Sequence, residues 1–348
     1  MNRPPIAKLL RAIGLSLLSL ALVGYAQQQP SPAQALLLPG AGEVWSVAST
    51  TLFGVTYGGE RFVAVGLGGT ILTSQDGLTW QRVSSGTDAW LSGVTYGGGR
   101  FVAVGSGGTI VTSENGLTWQ RVSAGTDAWL FGVTYGGGRF VAVGLGDTLL
   151  TSADGLTWQR VSSGTIAGLG GVTYGAGRFV AVGSGDTLLT SADGLTWQRV
   201  SSGTDSDLFG VTYGGGRFVA VGWDGTLLTS ADGLTWQRVS SGTDAWLTGV
   251  TYGGGRFVAV GWDGTLLTSA EGLTWEAVPS GTSEWLFGVT YGGGRFVAVG
   301  SGGTILTSED GLTWEAVPSG TGEWLSGVTY GGGRFVAVGL RGAILTSP

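Results

Sequence analysis

The sequence predicts an all-β fold, an eight-bladed β-propeller of four-stranded antiparallel blades, and three observations predict it. The motif Gly-Val-Thr-Tyr-Gly begins at Gly54, Gly93, Gly132, Gly171, Gly210, Gly249, Gly288 and Gly327, 39 residues apart each time. A fixed period near 40 with several short strands per unit marks propeller blades. The 70 glycines among 348 residues keep step with that period, so they read as regular turns rather than disorder. The residue before each Gly-Val alternates by size: Phe53, Ser92, Phe131, Gly170, Phe209, Thr248, Phe287, Ser326. A strict alternation closes around a ring only if the blade number is even. Either each Phe fills the space its small neighbour leaves, or the pattern is an echo of a two-blade duplication.

Within one unit the punctuation sets the elements in order. Residues 94–96 form the first strand, and Gly97, Gly98 and Gly99 a turn that tolerates positive φ. Residues 101–104 form the second strand, ended by a glycine-rich loop over 105–108. Residues 109–112 are the third strand, Asn115-Gly116 a hairpin turn, and residues 117–122 the fourth. Phe101, Val102, Ala103 and Val104 are apolar on both faces, as expected where neighbours cover both sides of a sheet. The eighth unit stops after its third strand. The segment 43–48 precedes the first unit and places Trp45 where Trp80 or Trp119 stands. It is expected to pair with that third strand, closing the ring and covering an edge that would otherwise aggregate. The propeller is thus expected over 43–348.

The first 26 residues read as a cleavable signal peptide. Arg3, Lys8 and Arg11 form a basic start, residues 12–23 an apolar run, and Gly24-Tyr25-Ala26 a small-residue cleavage site cut after Ala26. Twelve apolar residues are too few to span the ~30 Å hydrocarbon core, so no transmembrane anchor is expected in the mature chain. Residues 27–42 read as a linker. Secretion or a periplasmic location follows from this reading. The remaining chain has no His, Cys or Lys, and its 14 arginines face 23 carboxylates, a net charge of −9. That balance disfavours nucleic acid as a partner. Absent His and Cys remove the usual zinc ligands and the commonest general base. No metal and no cofactor are expected.

The run Ser74-Gln75-Asp76-Gly77-Leu78-Thr79-Trp80 resembles the Asp-box of bacterial-neuraminidase-type repeats, shortened by one residue between Asp and Gly. It recurs with Asp154, Asp193, Asp232 and Asp310, while Asn115 and Glu271 replace the Asp in two copies. Together the units look like sialidase-like Asp-box propellers and, more distantly, the propeller family that assists photosystem II assembly. That resemblance implies a folding role for the box. A carboxylate before Gly accepts backbone N–H bonds within its own turn, and the Trp packs between blades. It carries over no catalytic residue. Every Arg except Arg341, and every Tyr of the repeats, sits at a repeating position. A ring presenting one group many times lacks the convergent, differently tuned groups that catalysis needs. The expectation is a non-enzyme, a binding scaffold for glycan or protein. A glycan hydrolase relying on Asp224 and Asp263 is the outside alternative.

Departures from the repeat cluster in the loops after the second strand and in the linkers after the fourth. Blades 5 and 6 carry Trp223-Asp224-Gly225 and Trp262-Asp263-Gly264. The linkers carry Trp90, Trp129, Trp246, Trp285 and Trp324, with Gly168 and Asp207 at the corresponding positions before blades 4 and 5. Candidate ligand contacts are therefore Trp223, Asp224, Trp246, Trp262, Asp263 and Trp285, a rim on which sugars stack or a protein docks. The competing reading has the linker Trp residues packing under their own loops to staple blades. On the opposite face Arg61, Arg100, Arg139, Arg178, Arg217, Arg256, Arg295 and Arg334 form a ring. It either captures an anionic protein partner or consists of solvated turn residues and Arg stacked on neighbouring aromatics.

Overall fold

The computed structural model describes residues 50–347. The predicted signal peptide, the linker 27–42 and the closing segment 43–48 lie outside the described residues. Eight antiparallel sheets follow one another along the chain, seven of four strands and one of three. In blade 1 the strands are Leu52–Gly58, Arg61–Gly66, Ile71–Ser74 and Gln81–Val83. Blades 2 to 7 repeat this pattern, and blade 8 consists of Leu325–Gly331, Arg334–Gly339 and Ile344–Thr346. The first strands contact one another around the ring, that of blade 8 touching that of blade 1, so the eight blades close. Among the described residues no helix is long and apolar enough to cross a membrane.

The strands form where the punctuation places them, except that the fourth in blade 2 covers Gln120–Val122 rather than 117–122, and the core lies between blades rather than within them. Val63, Val65 and Ile71 of blade 1 are buried with Leu91, Phe101, Ala103, Val111 and Trp119 of blade 2. The same arrangement recurs at every interface, including blade 8 against blade 1 through Val336 and Val338 packed on Leu52, Phe62 and Ala64. Each second strand is buried on both faces, as its unbroken apolar run predicts.

The glycine that ends the first strand has a steric reason. A Cβ on Gly97 would lie 2.2 Å from Cγ of Tyr135, the first-strand Tyr of the next blade. Gly58 stands in the same relation to Tyr96, and Gly331 to Tyr57, so this ring-on-backbone contact also spans the closure. Each Tyr sits 4.6–4.8 Å from the Phe of its own blade and so joins two blades.

The large–small alternation has a more specific basis than volume. A register shift between Leu52 and Gly54 leaves Phe53 in a bulge, and equivalent bulges recur around the ring. Where the bulged residue is Ser or Thr, its hydroxyl reaches the leucine carbonyl of the next blade. Ser92 Oγ is 2.5 Å from Leu130 O, Thr248 Oγ1 2.7 Å from Leu286 O, and Ser326 Oγ 2.7 Å from Leu52 O. The small residues thus tie blade 2 to 3, 6 to 7 and 8 to 1 with hydrogen bonds, while Gly170 has no side chain to do so. Phe131 and Phe287 are buried beside Trp129 and Trp324.

Gly97→Ala is expected to destabilise the protein by about 1–3 kcal/mol, the usual cost of overpacking. Combining it with Tyr135→Gly, which also removes the Cβ that would stand 2.4 Å away, should cost little more than Tyr135→Gly alone, which a double-mutant cycle by denaturant unfolding will measure. Simple additivity of the two changes would mean that the Tyr ring is not what requires the glycine.

Candidate functional site

The loops after each second strand and the linkers after each fourth strand are bonded to one another on one face. Trp262 N–H donates to Trp246 O, and Gly264 N–H donates to Glu284 O, each at 2.9 Å. This brings the two sets of predicted Trp residues together. In blades 5 to 8 they form one aromatic arc. Phe209 meets Trp223 at 6.0 Å, Trp223 stacks on Trp246 at 4.9 Å, and Trp246 meets Trp262 at 4.0 Å. Trp262 lies parallel to Trp285, 3° apart in plane at 4.2 Å, and Trp285 leads on to Trp324 and Phe287. A separate group joins Trp90, Trp129 and Phe131. Gly168 and Asp207 interrupt the two before blades 4 and 5, where the Asp207 carboxylate instead accepts the Gly185 N–H at 2.7 Å.

Two expectations change here. Trp223 is only 6% exposed, so it is a filler of the arc and not a contact surface. Its loop has few side chains, but the neighbouring Phe209 and Trp246 cover it. The linker Trp residues do not pack simply under their own loops either, because they alternate with loop Trp residues across blade boundaries. Trp246, Trp262 and Trp285 are half-buried and keep accessible surface.

Asp224 and Asp263 hold left-handed backbone conformations, with φ of 49° and 53°. Five other copies have glycine in that conformation here, at Gly68, Gly107, Gly146, Gly185 and Gly302. A non-glycine residue costs energy there, though Asp tolerates it better than most. Arg341 takes the same conformation in blade 8 and pairs with Glu323 at 3.3 Å. Arg341 was missing from the predicted site, although its standing outside both Arg series was a signal in the sequence. Ile166, 94% exposed where Asp88 stands in blade 2's linker, was also missed.

The face is acidic. Its loops and linkers hold Asp88, Asp127, Asp147, Asp186, Asp205, Asp207, Asp224, Asp244, Asp263, Glu284 and Glu323. Among the described residues, ion pairs engage Asp147 with Arg160, Asp186 with Arg199, and Glu323 with Arg341. Among these residues no group of three His, Cys, Asp or Glu side chains is placed to hold a metal ion.

On the opposite face the arginines act as ties between blades. Arg61, Arg100, Arg139, Arg178, Arg217 and Arg256 each donate from Nη1 to the third-strand Thr hydroxyl of their own blade, at 3.1–3.5 Å. Their stems lie over the turn glycine of the next blade: a Cβ on Gly116 would come 2.8 Å from Cδ of Arg61. Arg334 donates to Ser347 O, and Arg295 pairs with Glu309 at 3.5 Å. These hydrogen bonds and ion pairs leave less of the ring free for an anionic partner.

The turns that resemble the Asp-box are built from their own backbone. Asp76 Oδ1 accepts N–H bonds from Leu78 and Thr79 at 2.9 and 2.8 Å and a bond from Ser74 Oγ at 2.9 Å. These bonds, the Thr79 N–H foremost, hold the Asp76 carboxyl down at about 2. Asp193 is held at about 2 by the Thr196 and Leu195 N–H groups. Asp154, Asp232 and Asp310 are lowered by the same kind of bonds. Asn115 accepts the two N–H bonds just as well, at 2.8 and 2.9 Å. Glu271, one methylene longer, accepts one bond from Thr274 N–H at 3.3 Å.

Solved structures share the architecture. A crystal structure of the computationally designed Ika8 protein matches with a TM-score of 0.72 at 18% identity, covering 86% of this chain and 96% of that one. YCF48 bound to D1 peptide matches with a TM-score of 0.58 at 17% identity, covering 91% and 99%. The C-terminal WD40 domain of Sif2 matches with a TM-score of 0.69 at 11% identity, covering 87% and 97%. At these identities the likeness is one of fold. No family model and no curated protein sequence matches the chain.

The depressed carboxyls make stability depend on pH in a stated direction. The unfolded chain takes up these protons near pH 4 and the folded chain only at lower pH, near 2 for Asp76 and Asp193. The contribution is therefore fully present above pH 4 and lost as pH falls toward 2. Melting temperature should drop across that window. A variant with Asn at 76, 154, 193, 232 and 310 should keep the turns, as Asn115 does, and show a flatter profile. An unchanged slope in that variant would place the acid sensitivity elsewhere. Separately, Glu271→Asp should stabilise by about 0.5–1.5 kcal/mol in urea unfolding, from the shorter bonds it restores.

Proposed function

We propose that the protein is a non-catalytic binding propeller that docks a protein partner carrying basic and apolar side chains on its Trp-rich, acidic face. The observation that carries this reading is the pairing of the aromatic arc with Asp224 and Asp263. Both Asp residues follow an arc Trp and occupy a backbone conformation better suited to the glycine found in other blades. Strained positions retained against an easier alternative point to a surface role. Partly exposed Trp rings flanked by carboxylates suit Arg and Lys side chains, whose apolar stems pack on the rings while their charged heads pair with the carboxylates. YCF48, a propeller of similar fold, is described bound to a peptide, which supports the general reading. The leader-like first 26 residues support action outside the cytoplasm, in a secreted or periplasmic setting.

Glycan recognition is the second reading, favoured by the density of half-buried Trp on one face. Sugar stacking needs a free ring face, however, and Trp262 and Trp285 cover each other's. A sialidase-like identity rests on the box turn alone, and those turns lie on the other face, as folding elements.

An array of synthetic peptides of graded net charge, run beside a glycan array, tests the reading. Basic peptides should bind, more weakly as salt rises from 50 to 500 mM. Trp262→Ala with Trp285→Ala should weaken binding about 30-fold or more, the scale of an interface hot spot. Asp224→Gly with Asp263→Gly should weaken binding while raising stability by about 1–2 kcal/mol from relief of the left-handed backbone. Binding that ignores charge, or glycans that bind while peptides do not, would overturn the proposal.

A further inference from the structure

The fourth-strand arginines meet different company from blade to blade. In blades 3 and 4 an Asp at the end of the loop after the second strand pairs with them, Asp147 with Arg160 and Asp186 with Arg199. In blade 2 that loop position is Gly108, and among the described residues Arg121 pairs with no carboxylate. Blade 2 departs from the repeat a second time, at Ala124. The other six linkers carry Ser there: Ser85, Ser163, Ser202, Ser241, Ser280 and Ser319. Each of those hydroxyls donates to the carbonyl of the Thr two residues on, at 3.0–3.1 Å. Each also accepts that Thr's N–H, at 3.3–3.4 Å. Ala124 can do neither, so Thr126 O and Thr126 N–H lack this partner. Around the two omissions lies a cleft of ≈ 580 Å³, lined by Gly108, Arg121, Ser123, Ala124, Thr126 and Asp127.

The two missing groups are neighbours in space. In blades 1, 5, 6 and 7 a Cβ at the place of Gly108 would lie 2.7–2.8 Å from the Ser Oγ. A carboxylate arm and that hydroxyl are therefore within reach of one small molecule. We propose that the blade 2 cleft binds a small hydroxycarboxylate. Its carboxylate takes the part that Asp147 and Asp186 play in their blades and pairs with Arg121. Its hydroxyl takes the part of the Ser, donating to Thr126 O and accepting Thr126 N–H, since a hydroxyl both gives and receives.

Asp127 lines the same cleft, and its charge works against a bare anion. A ligand with a second hydroxyl turns that carboxylate into an acceptor instead. Arg121 is exposed, so a ligand of six or seven heavy atoms should bind at about millimolar strength. The cleft lies in blade 2, outside the aromatic arc of blades 5 to 8, and the proposal does not depend on the docking of a protein there.

Glycerate, a carboxylate with two hydroxyls, is the probe, while acetate and glycerol each carry part of its chemistry. Calorimetric titration of the intact protein should show glycerate binding about tenfold or more tighter than either. Ala124→Ser restores the hydroxyl of the other linkers, and Arg121→Ala copies Ala277 and Ala316 of blades 6 and 7. Both variants should therefore keep the parent melting temperature, and each should weaken glycerate binding about tenfold or more. Arg82→Ala, the same change in blade 1 where Ser85 fills the place, should leave binding unchanged. Acetate binding as tightly as glycerate would show a bare anion site. Binding indifferent to Ala124→Ser, or weakened as much by Arg82→Ala as by Arg121→Ala, would place glycerate elsewhere. No saturable binding up to about 50 mM, well beyond the millimolar range, would leave the cleft to water. Any of these three results overturns the proposal.

Discussion

Everything in this structure depends on burial between blades. A four-stranded sheet whose outer strand is only two or three residues long encloses nothing. Its Val, Leu and Phe side chains leave water only because a second sheet lies against each face. The unit of stability is therefore the interface: Val from one blade, Phe and box Trp from the next, and a Tyr ring laid on a glycine. Open repeat arrays have two weak ends. A closed ring has none, provided that the last interface is built like the others, and Tyr57 on Gly331 and Ser326 on Leu52 build its inner part in the same way.

This requirement explains what the sequence made legible. Interfaces built from one set of residues repeat the same letters, so the period, the strand order and the blade number could all be read from Gly-Val-Thr-Tyr-Gly and its spacing. The turns were legible for a related reason. Asp76, Asn115 and the glycines after them bond within a few residues of chain, and such local geometry needs no knowledge of neighbours. The even blade count followed from the alternation of Phe with small residues, but its mechanism did not. That Ser92 reaches a carbonyl 38 residues away depends on a bulge, which leaves no separate mark in the sequence.

What stayed hidden were contacts made by one position with a different position of the next blade. Arg61 sits beside a glycine of blade 2, and nothing in a repeat tells a free Arg from one whose stem is covered. Trp223 and Trp262 look alike in sequence, each followed by Asp-Gly. The first is buried and the second half-exposed because Phe209 stands beside Trp223 while Thr248 holds that place in blade 6. The difference comes from the neighbouring bulge position, so two patterns read separately in the sequence meet only in three dimensions.

Repetition also creates a problem that the seam can solve. With near-identical blades, one third strand accepts a fourth strand from several sources, and the register among them is weakly specified. A chain that split its ring between whole blades would have to close on contacts found equally at every other interface. The split inside blade 8 that the sequence predicts is different, because the stretch matching a fourth strand in sequence lies at the far end of the chain on a connection unlike the rest. Trp45 precedes Leu52 by seven residues, whereas Trp80 precedes Leu91 by eleven. The shorter tether has no room for the linker Asp and Trp, and Thr51 stands at the corner before blade 1 where most other linkers carry Trp. The absence of a linker Trp before blade 1 accompanies that shorter connection. It also sets where that face can act: the arc extends through blades 5 to 8, and the shortened corner follows it.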